Sequence, residues 1–259
     1  FGDQMVACWI AGLSFTNNLL LREALEILEK AIEIDEKMKM GNYHLLVYAN
    51  GQLSRCFMIT GDFEKALTFS LKALEFSKKT DAIVAKGWVY SDLTLLYTRL
   101  GDLKHAEEYF EKLMKLPPEI LVYPLVIGNL AMAVFFAGKN QWEESNQAFK
   151  EFFERFKNLS APHWMLRQKQ EYAWALEKQG RFDEARFQLE ERQKMRRELE
   201  ARFEHADLQA HLMVRRQAVV GEEFEMRLDL VNVGRKLALL VKVENVLLDD
   251  FRAVALPSW

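Results

Sequence analysis

Five histidines, two cysteines and several adjacent carboxylates are the side chains here that could do chemistry. Of His44, His105, His163, His205 and His211, only His211 has neighbours at a useful spacing, with Asp207 four residues and Glu204 seven residues before it. On a continuous helix those three would share a face and could hold a metal weakly. Such triples are common by chance on charged helices, so the reading adopted is a solvated face. Cys8 and Cys56 stand singly inside apolar helical patterns, as small buried residues do, and not in a paired redox or metal motif. Glu107 with Glu108, Glu143 with Glu144, and Glu222 with Glu223 read as first-turn charges that suit a helix dipole, or as solvated faces. There is no glycine-rich phosphate loop, metalloprotease helix motif or nucleophile elbow. The expectation is a non-enzyme with no catalytic residue, no metal ligand and no cofactor.

Composition narrows the partners. The formal charge of 259 residues is −3, with both signs spread along the chain, whereas a nucleic-acid ligand calls for a concentrated basic face. Half of the residues are hydrophobic, enough for a continuous core. No stretch reaches the roughly 18 uncharged apolar residues of a membrane span, and the first residues carry neither a basic start nor a cleavage site. Protein partners, neither nucleic acid nor membrane, and a reducing cytoplasm are expected. The chain opens at Phe1, inside a helical pattern and without an initiator Met, and reads as a piece of a longer protein.

A recurring corner must position whatever functional residues there are. Ile59-Thr60-Gly61-Asp62-Phe63-Glu64-Lys65-Ala66-Leu67 joins a glycine that can end one helix to an aspartate that can cap the next, followed by a small residue that lets two helices approach. It returns at Leu100–Ala106 and Gln179–Ala185, and more loosely at Asn140–Ser145 and Asn18–Ala24. The small residues Ala24, Ala66, Ala106, Ser145 and Ala185 are 42, 40, 39 and 40 residues apart. Nine residues before each stands a bulky one: Phe15, Phe57, Tyr97, Phe136 and Leu176. A period of this size means one supersecondary unit stacked on itself.

The pattern resembles the tetratricopeptide repeat. Leu53, Ser54, Phe57, Gly61, Ala66 and Ala73 match its consensus in the second unit, and Tyr90, Leu93, Thr94, Tyr97, Gly101, Ala106 and Phe110 match it in the third. Against a family period of about 34 residues each unit has longer helices, of the kind in kinesin light chains and the helical arrays of signal-transduction ATPases. The resemblance spans about residues 1–195. It implies a mainly α fold, a right-handed α-solenoid of five helical hairpins.

In chain order the hairpins are expected at 3–17 with 20–38, 43–59 with 63–78, 82–99 with 103–115, 119–138 with 142–157, and 162–179 with 182 onward. Pro124 should kink or delay the fourth hairpin's first helix. Between Arg181 and Val214 there is neither Gly nor Pro, so the last helix should run that far, with one stripe at Met195, Leu199, Phe203, Ala206, Ala210 and Met213. That stripe either caps the open end of the solenoid or forms a short coiled coil that makes a homodimer or couples the array to an effector. From Gly221 the period changes. Glu223–Val231 alternates as a half-buried strand, and 237–247 reads as a second. Two domains follow: a solenoid at 1–217, and at 218–259 a short β segment resembling the start of a truncated β-sandwich.

The resemblance also implies a binding face, because the family's ligand contacts come from fixed positions on the first helix of each unit. Carried over by register, these are Trp9 and Leu13; Tyr48 and Arg55; Trp88, Leu95 and Arg99; Leu130 and Val134; and Arg167, Gln170 and Trp174. The set with which chaperone-binding members clamp a terminal carboxylate is missing, since Trp9, Leu13, Gly51 and Arg55 occupy its places. The expected groove is apolar and aromatic with arginines at its margins. It suits a peptide or helix carrying some acid. A non-enzymatic interaction scaffold is the first functional reading. The alternative is the sensor or regulatory module of a larger signalling ATPase, cyclase or transcription regulator.

Overall fold

In a computed structural model, the structure describes residues 2–17, 19–121, 128–156, 162–203, 208–213 and 227–232. The chain divides into two compact units, Phe1–Leu199 and Glu200–Trp259.

The first unit is built from antiparallel helix pairs. Helix α1 (Gly2–Asn17) pairs with α2 (Leu21–Met38), α3 (Tyr43–Thr60) with α4 (Phe63–Ser77), and α5 (Ile83–Arg99) with α6 (Leu103–Met114). The short α7 (Pro118–Leu121) precedes α8 (Gly128–Gly138), which pairs with α9 (Trp142–Phe156), and α10 (Pro162–Lys178) leads into α11 (Phe182–Phe203).

All five corners close in the same way. Four residues after each bulky residue the chain takes a left-handed conformation, at Leu19, Gly61, Gly101, Asn140 and Gly180. The next N–H then donates back to the carbonyl of the bulky residue: Leu20 to Phe15, Asp62 to Phe57, Asp102 to Tyr97, Gln141 to Phe136 and Arg181 to Leu176, at 2.9–3.0 Å. This is the Schellman closure, which satisfies carbonyls a helix end leaves bare. Glycine takes this conformation without strain; Leu19, at φ 62°, does not. Asp62 and Asp102 then accept the backbone N–H of Lys65 and His105, each at 3.2 Å. Side-chain hydrogen bonds from Lys65 and His105, aided by those backbone bonds, hold both carboxyls below the usual carboxylate range.

Each of the five small residues is buried where helix approaches helix. In the fourth corner the small residue is Ser145, whose hydroxyl donates to the Ala133 carbonyl at 2.8 Å, so the polar atom is satisfied inside the core. Apolar clusters then tie each hairpin to the next. Ala24, Leu28, Ala49, Leu53 and Cys56 join the first to the second. Val47, Ala73, Ala85, Val89 and Leu93 join the second to the third. Leu95, Leu130, Val134, Phe149, Phe152 and Trp164 continue the core through the remaining hairpins.

Three expectations need correction. The fourth hairpin's first helix, expected as one rod over 119–138, is two pieces, α7 and α8. A Cβ on Gly128 would stand 3.0 Å from the Leu121 carbonyl oxygen, far closer than a continuous helix allows between residues seven apart; Pro124 lies outside the described residues. The last helix ends at Phe203 and does not run to Val214, because Leu208–Met213 is strand β1. Leu208, Ala210, Leu212 and the β-sheet pairing draw this stretch into period two, so Ala210 and Met213 leave the helical stripe. Strand β2 (Arg227–Asn232) overlaps the expected strand at Glu223–Val231, but its antiparallel partner is β1, with Leu208 opposite Asn232 and Met213 opposite Arg227. The expected strand at 237–247 lies outside the described residues. Among the described residues no helix is long and apolar enough to cross a membrane.

Candidate functional site

Helices α3, α5, α8 and α10 turn one face inward, and α10 meets α3 and α1 as well as its neighbours α8 and α9. In a stacked repeat array each unit touches only its neighbours, so here the fifth hairpin reaches across the inner face to the first and second.

A file of rings and a guanidinium crosses this face. Trp9 lies against Tyr48 with centroids 5.4 Å apart, and Tyr48 against Trp88 at 5.2 Å. The Arg55 guanidinium stands 3.7 Å over Trp88 and 4.8 Å from the Trp164 ring. Gly51 makes the approach of Trp88 to α3 feasible, since a Cβ there would sit 3.1 Å from the indole. Buried cation–π contacts of this kind are worth about 2 kcal/mol.

Charges lie at the centre of the face. The Asp92 carboxylate accepts from Trp88 Nε1 at 2.7 Å, from Arg55 Nε at 3.2 Å and from Arg167 Nη2 at 3.4 Å. Arg55, Asp92 and Arg167 keep only 3%, 1% and 2% of their side-chain surface. Burial pulls the Arg55 guanidinium down to about 9, against the pull of Asp92 and with a push from nearby Arg167. Beside this set, Arg99 Nη1 donates to Glu171 Oε2 at 2.6 Å, with its guanidinium between the Phe63 and Trp174 rings. Gln170 donates to the Met58 carbonyl at 3.3 Å, and Arg192 to that of Ile59 at 2.8 Å. Several buried polar atoms of α10 have no hydrogen-bond partner among the described residues: both ends of the Gln168 amide, Glu171 Oε1 and Arg167 Nε.

Of the residues expected to line a groove, Trp9, Tyr48, Arg55, Trp88 and Arg167 come together in the ring file and around Asp92. Arg99 and Trp174 come together at Glu171. Leu95, Leu130 and Val134 are wholly buried in one apolar cluster, where Trp164 and Met58 also lie. Gln170 reaches α3, while Leu13 is half-buried and joins none of the clusters among the described residues. An open groove with arginines at its margins was expected; in the structure Arg55 and Arg167 lie inside, because Trp164 of hairpin five stands over Arg55 and Arg167 turns inward onto Asp92. Sequence reading missed Asp92, Trp164, Gln168 and Glu171. The signal was available for Asp92: a lone carboxylate in the apolar helix around Leu93 needs a buried partner, and Trp88 stands one helical turn before it.

For other chemistry the geometry offers little. Among the described residues no group of three or more His, Cys, Asp and Glu is placed to hold a metal. Glu204 and Asp207 lie outside them, and His211 stands in a strand and not on the helix face that the triple required. Burial raises the Cys56 thiol to about 11, which makes it unreactive near neutral pH.

No curated protein sequence matches the chain. Among solved structures it is similar to TPR-like repeats of a kinesin light chain from Podosopora anserina, at 19% identity over 78% of this chain and 98% of that one, with a TM-score of 0.45. A single-substitution form of the same repeats gives 19% identity, 77% and 96% coverage and a TM-score of 0.45. The MamA protein gives 15% identity, 80% and 98% coverage and a TM-score of 0.40. Residues 45–119 match the tetratricopeptide repeat family. That match falls on α3 to α6 and their two glycine corners, and the Schellman bonds of those corners recur at the other three.

Proposed function

We propose that the protein is a non-enzymatic scaffold that takes a partner peptide or helix on the inner face of its solenoid. Stacked helical repeats present an extended concave surface of the kind such arrays use for binding. The observation that carries the finer reading is the set of guanidiniums held against indole rings, Arg55 with Trp88 and Trp164, and Arg99 with Trp174. Aromatic and arginine side chains dominate protein interfaces, and the two cations to one carboxylate around Asp92 favour an acid-bearing partner. Trp174, Gln170 and Trp9 keep part of their surface and are the first contacts such a segment would meet.

The probe is a fluorescein-labelled 12-residue peptide of alternating Glu, Leu and Trp, with a Lys-for-Glu counterpart, titrated by anisotropy. The acidic peptide should bind at least tenfold more tightly than the basic one, and Trp174→Ala should weaken it about tenfold. Equal binding of both peptides, or an affinity indifferent to Trp174, would overturn the reading.

The division of the chain after Leu199 favours a second reading, in which the array is the sensor module of a larger signalling protein and the second unit relays its state. There, peptide binding would change protease accessibility within Glu200–Trp259. A homodimer through α11 would give a doubled mass by light scattering, abolished by Leu199→Glu.

A further inference from the structure

We infer that hairpin five is a gate over the inner face, held shut by the ion pairs Arg167–Asp92 and Arg99–Glu171. The inference rests on the inner-face reading above and adds its regulation. Three observations point the same way. First, α10 contacts α3 and α1, units that are not its neighbours in the repeat order, so these contacts are additional to the stacking that builds the solenoid. Second, beside the apolar cluster that Trp164 shares with Met58 and Leu95, its reach to α3 and α5 carries a set of polar contacts. Arg167 meets Asp92, Glu171 meets Arg99, Gln170 meets the Met58 carbonyl, and Arg192 of α11 meets the Ile59 carbonyl. Third, the Gln168 amide, Glu171 Oε1 and Arg167 Nε of α10 are buried with no protein hydrogen-bond partner among the described residues, and bulk water reaches all of them once the hairpin lifts. An ion pair taken out of water regains little net free energy, so such a contact is poised where an apolar one would be fixed.

Opening uncovers the side chains a partner would use. Arg55 and Trp88 lose the cover of Trp164 and Arg167. Arg99 and Arg167 exchange their internal carboxylates for the partner's, so Asp92 and Glu171 occupy the places of two acidic groups on the ligand. The Gly180 corner, closed by the Arg181 N–H bond to the Leu176 carbonyl, joins α10 to α11, so α10 and the start of α11 move as one body.

The test reads the gate without ligand. Spin labels at Thr60 and Lys178, both exposed, are placed in the chain with Cys8 and Cys56 replaced by alanine, and the distance distribution is measured by double electron–electron resonance. The unaltered inner face should give one short distance. Glu171→Gln should add a longer component of at least a fifth of the population, and the double variant Arg99→Met with Glu171→Met should keep only the short one. Identical distributions in all three overturn the gate. Should Glu171→Gln not fold by circular dichroism, Arg99→Gln carries the same arm. In the same set the acidic peptide should bind Glu171→Gln several-fold more tightly and the double methionine variant several-fold more weakly. Distances that shift with no peptide bound by any variant would leave the gate standing and remove the binding reading; binding without a shift would do the reverse.

Discussion

Hairpins two and three meet through Val47, Ala73, Ala85, Val89 and Leu93, whereas hairpin five, besides sharing an apolar cluster through Trp164 with Met58 and Leu95, meets hairpin three through the ion pairs Arg167–Asp92 and Glu171–Arg99 and hairpin two through hydrogen bonds to the Met58 and Ile59 carbonyls. Both contacts are buried, yet they differ in what they lose on separation. An apolar seam returns hydrophobic surface to water and has no alternative partner. A buried ion pair regains the hydration of two charges and can be replaced by another pair. Stacking along the chain therefore builds the scaffold, and closure across it is the adjustable part.

Removing Asp92 should have the largest effect. Asp92→Ala leaves the guanidiniums of Arg55 and Arg167 buried without the carboxylate both touch, and should cost about 3–5 kcal/mol in urea unfolding. In the apolar seam, Leu93→Ala should cost about 2–4 kcal/mol, since Leu93 is completely buried, with the loss spread over hairpins two and three. Asn42→Ala removes the cap that accepts from Leu45 N–H at 3.3 Å and should cost about 1 kcal/mol. Arg167→Met should change stability by no more than about 1 kcal/mol in either direction, because Arg55 and Trp88 still satisfy Asp92. If Arg167→Met proved as costly as Leu93→Ala, the contrast between the two contacts would fail.

Acid should act on the corners. Asp62 and Asp102 have folded-state pKa values below the ordinary carboxylate value, so each contributes stability above that value. That contribution is lost as pH falls through the lowered folded value. Circular dichroism melts between pH 5 and 2 should show the loss only below about pH 4, and Asp62→Asn with Asp102→Asn should flatten it.

The stacking was legible in the sequence because the same physics repeats. Each hairpin needs a left-handed residue, a small residue and a bulky one, and Gly61, Ala66 and Phe57 recur in kind at every corner, with Leu19 and Asn140 as strained or tolerant substitutes for glycine. Helix ends came out within a few residues for that reason. The cross-axis contacts were not legible, since no period links Arg167 to Asp92 across 75 positions or Arg99 to Glu171 across 72. A register rule could name Arg55, Arg99, Arg167 and Trp174, but whether those side chains meet solvent or one another depends on how far the solenoid curls. The end of α11 was misread for a local reason: the 3.6-residue stripe through Leu199 and Phe203 continues by chance into Ala210 and Met213, and only pairing with Arg227–Asn232 makes that stretch a strand.

Native-state hydrogen exchange on the unaltered chain and on Glu171→Gln distinguishes adjustable closure from rigid core. If closure is polar and separable, the variant loses protection in α10 and the start of α11, while the amides of α3 to α6 exchange as before. If hairpin five is ordinary core, Glu171→Gln either changes nothing or lowers protection through α3 to α6 as much as in α10, and the distinction between scaffold and gate falls.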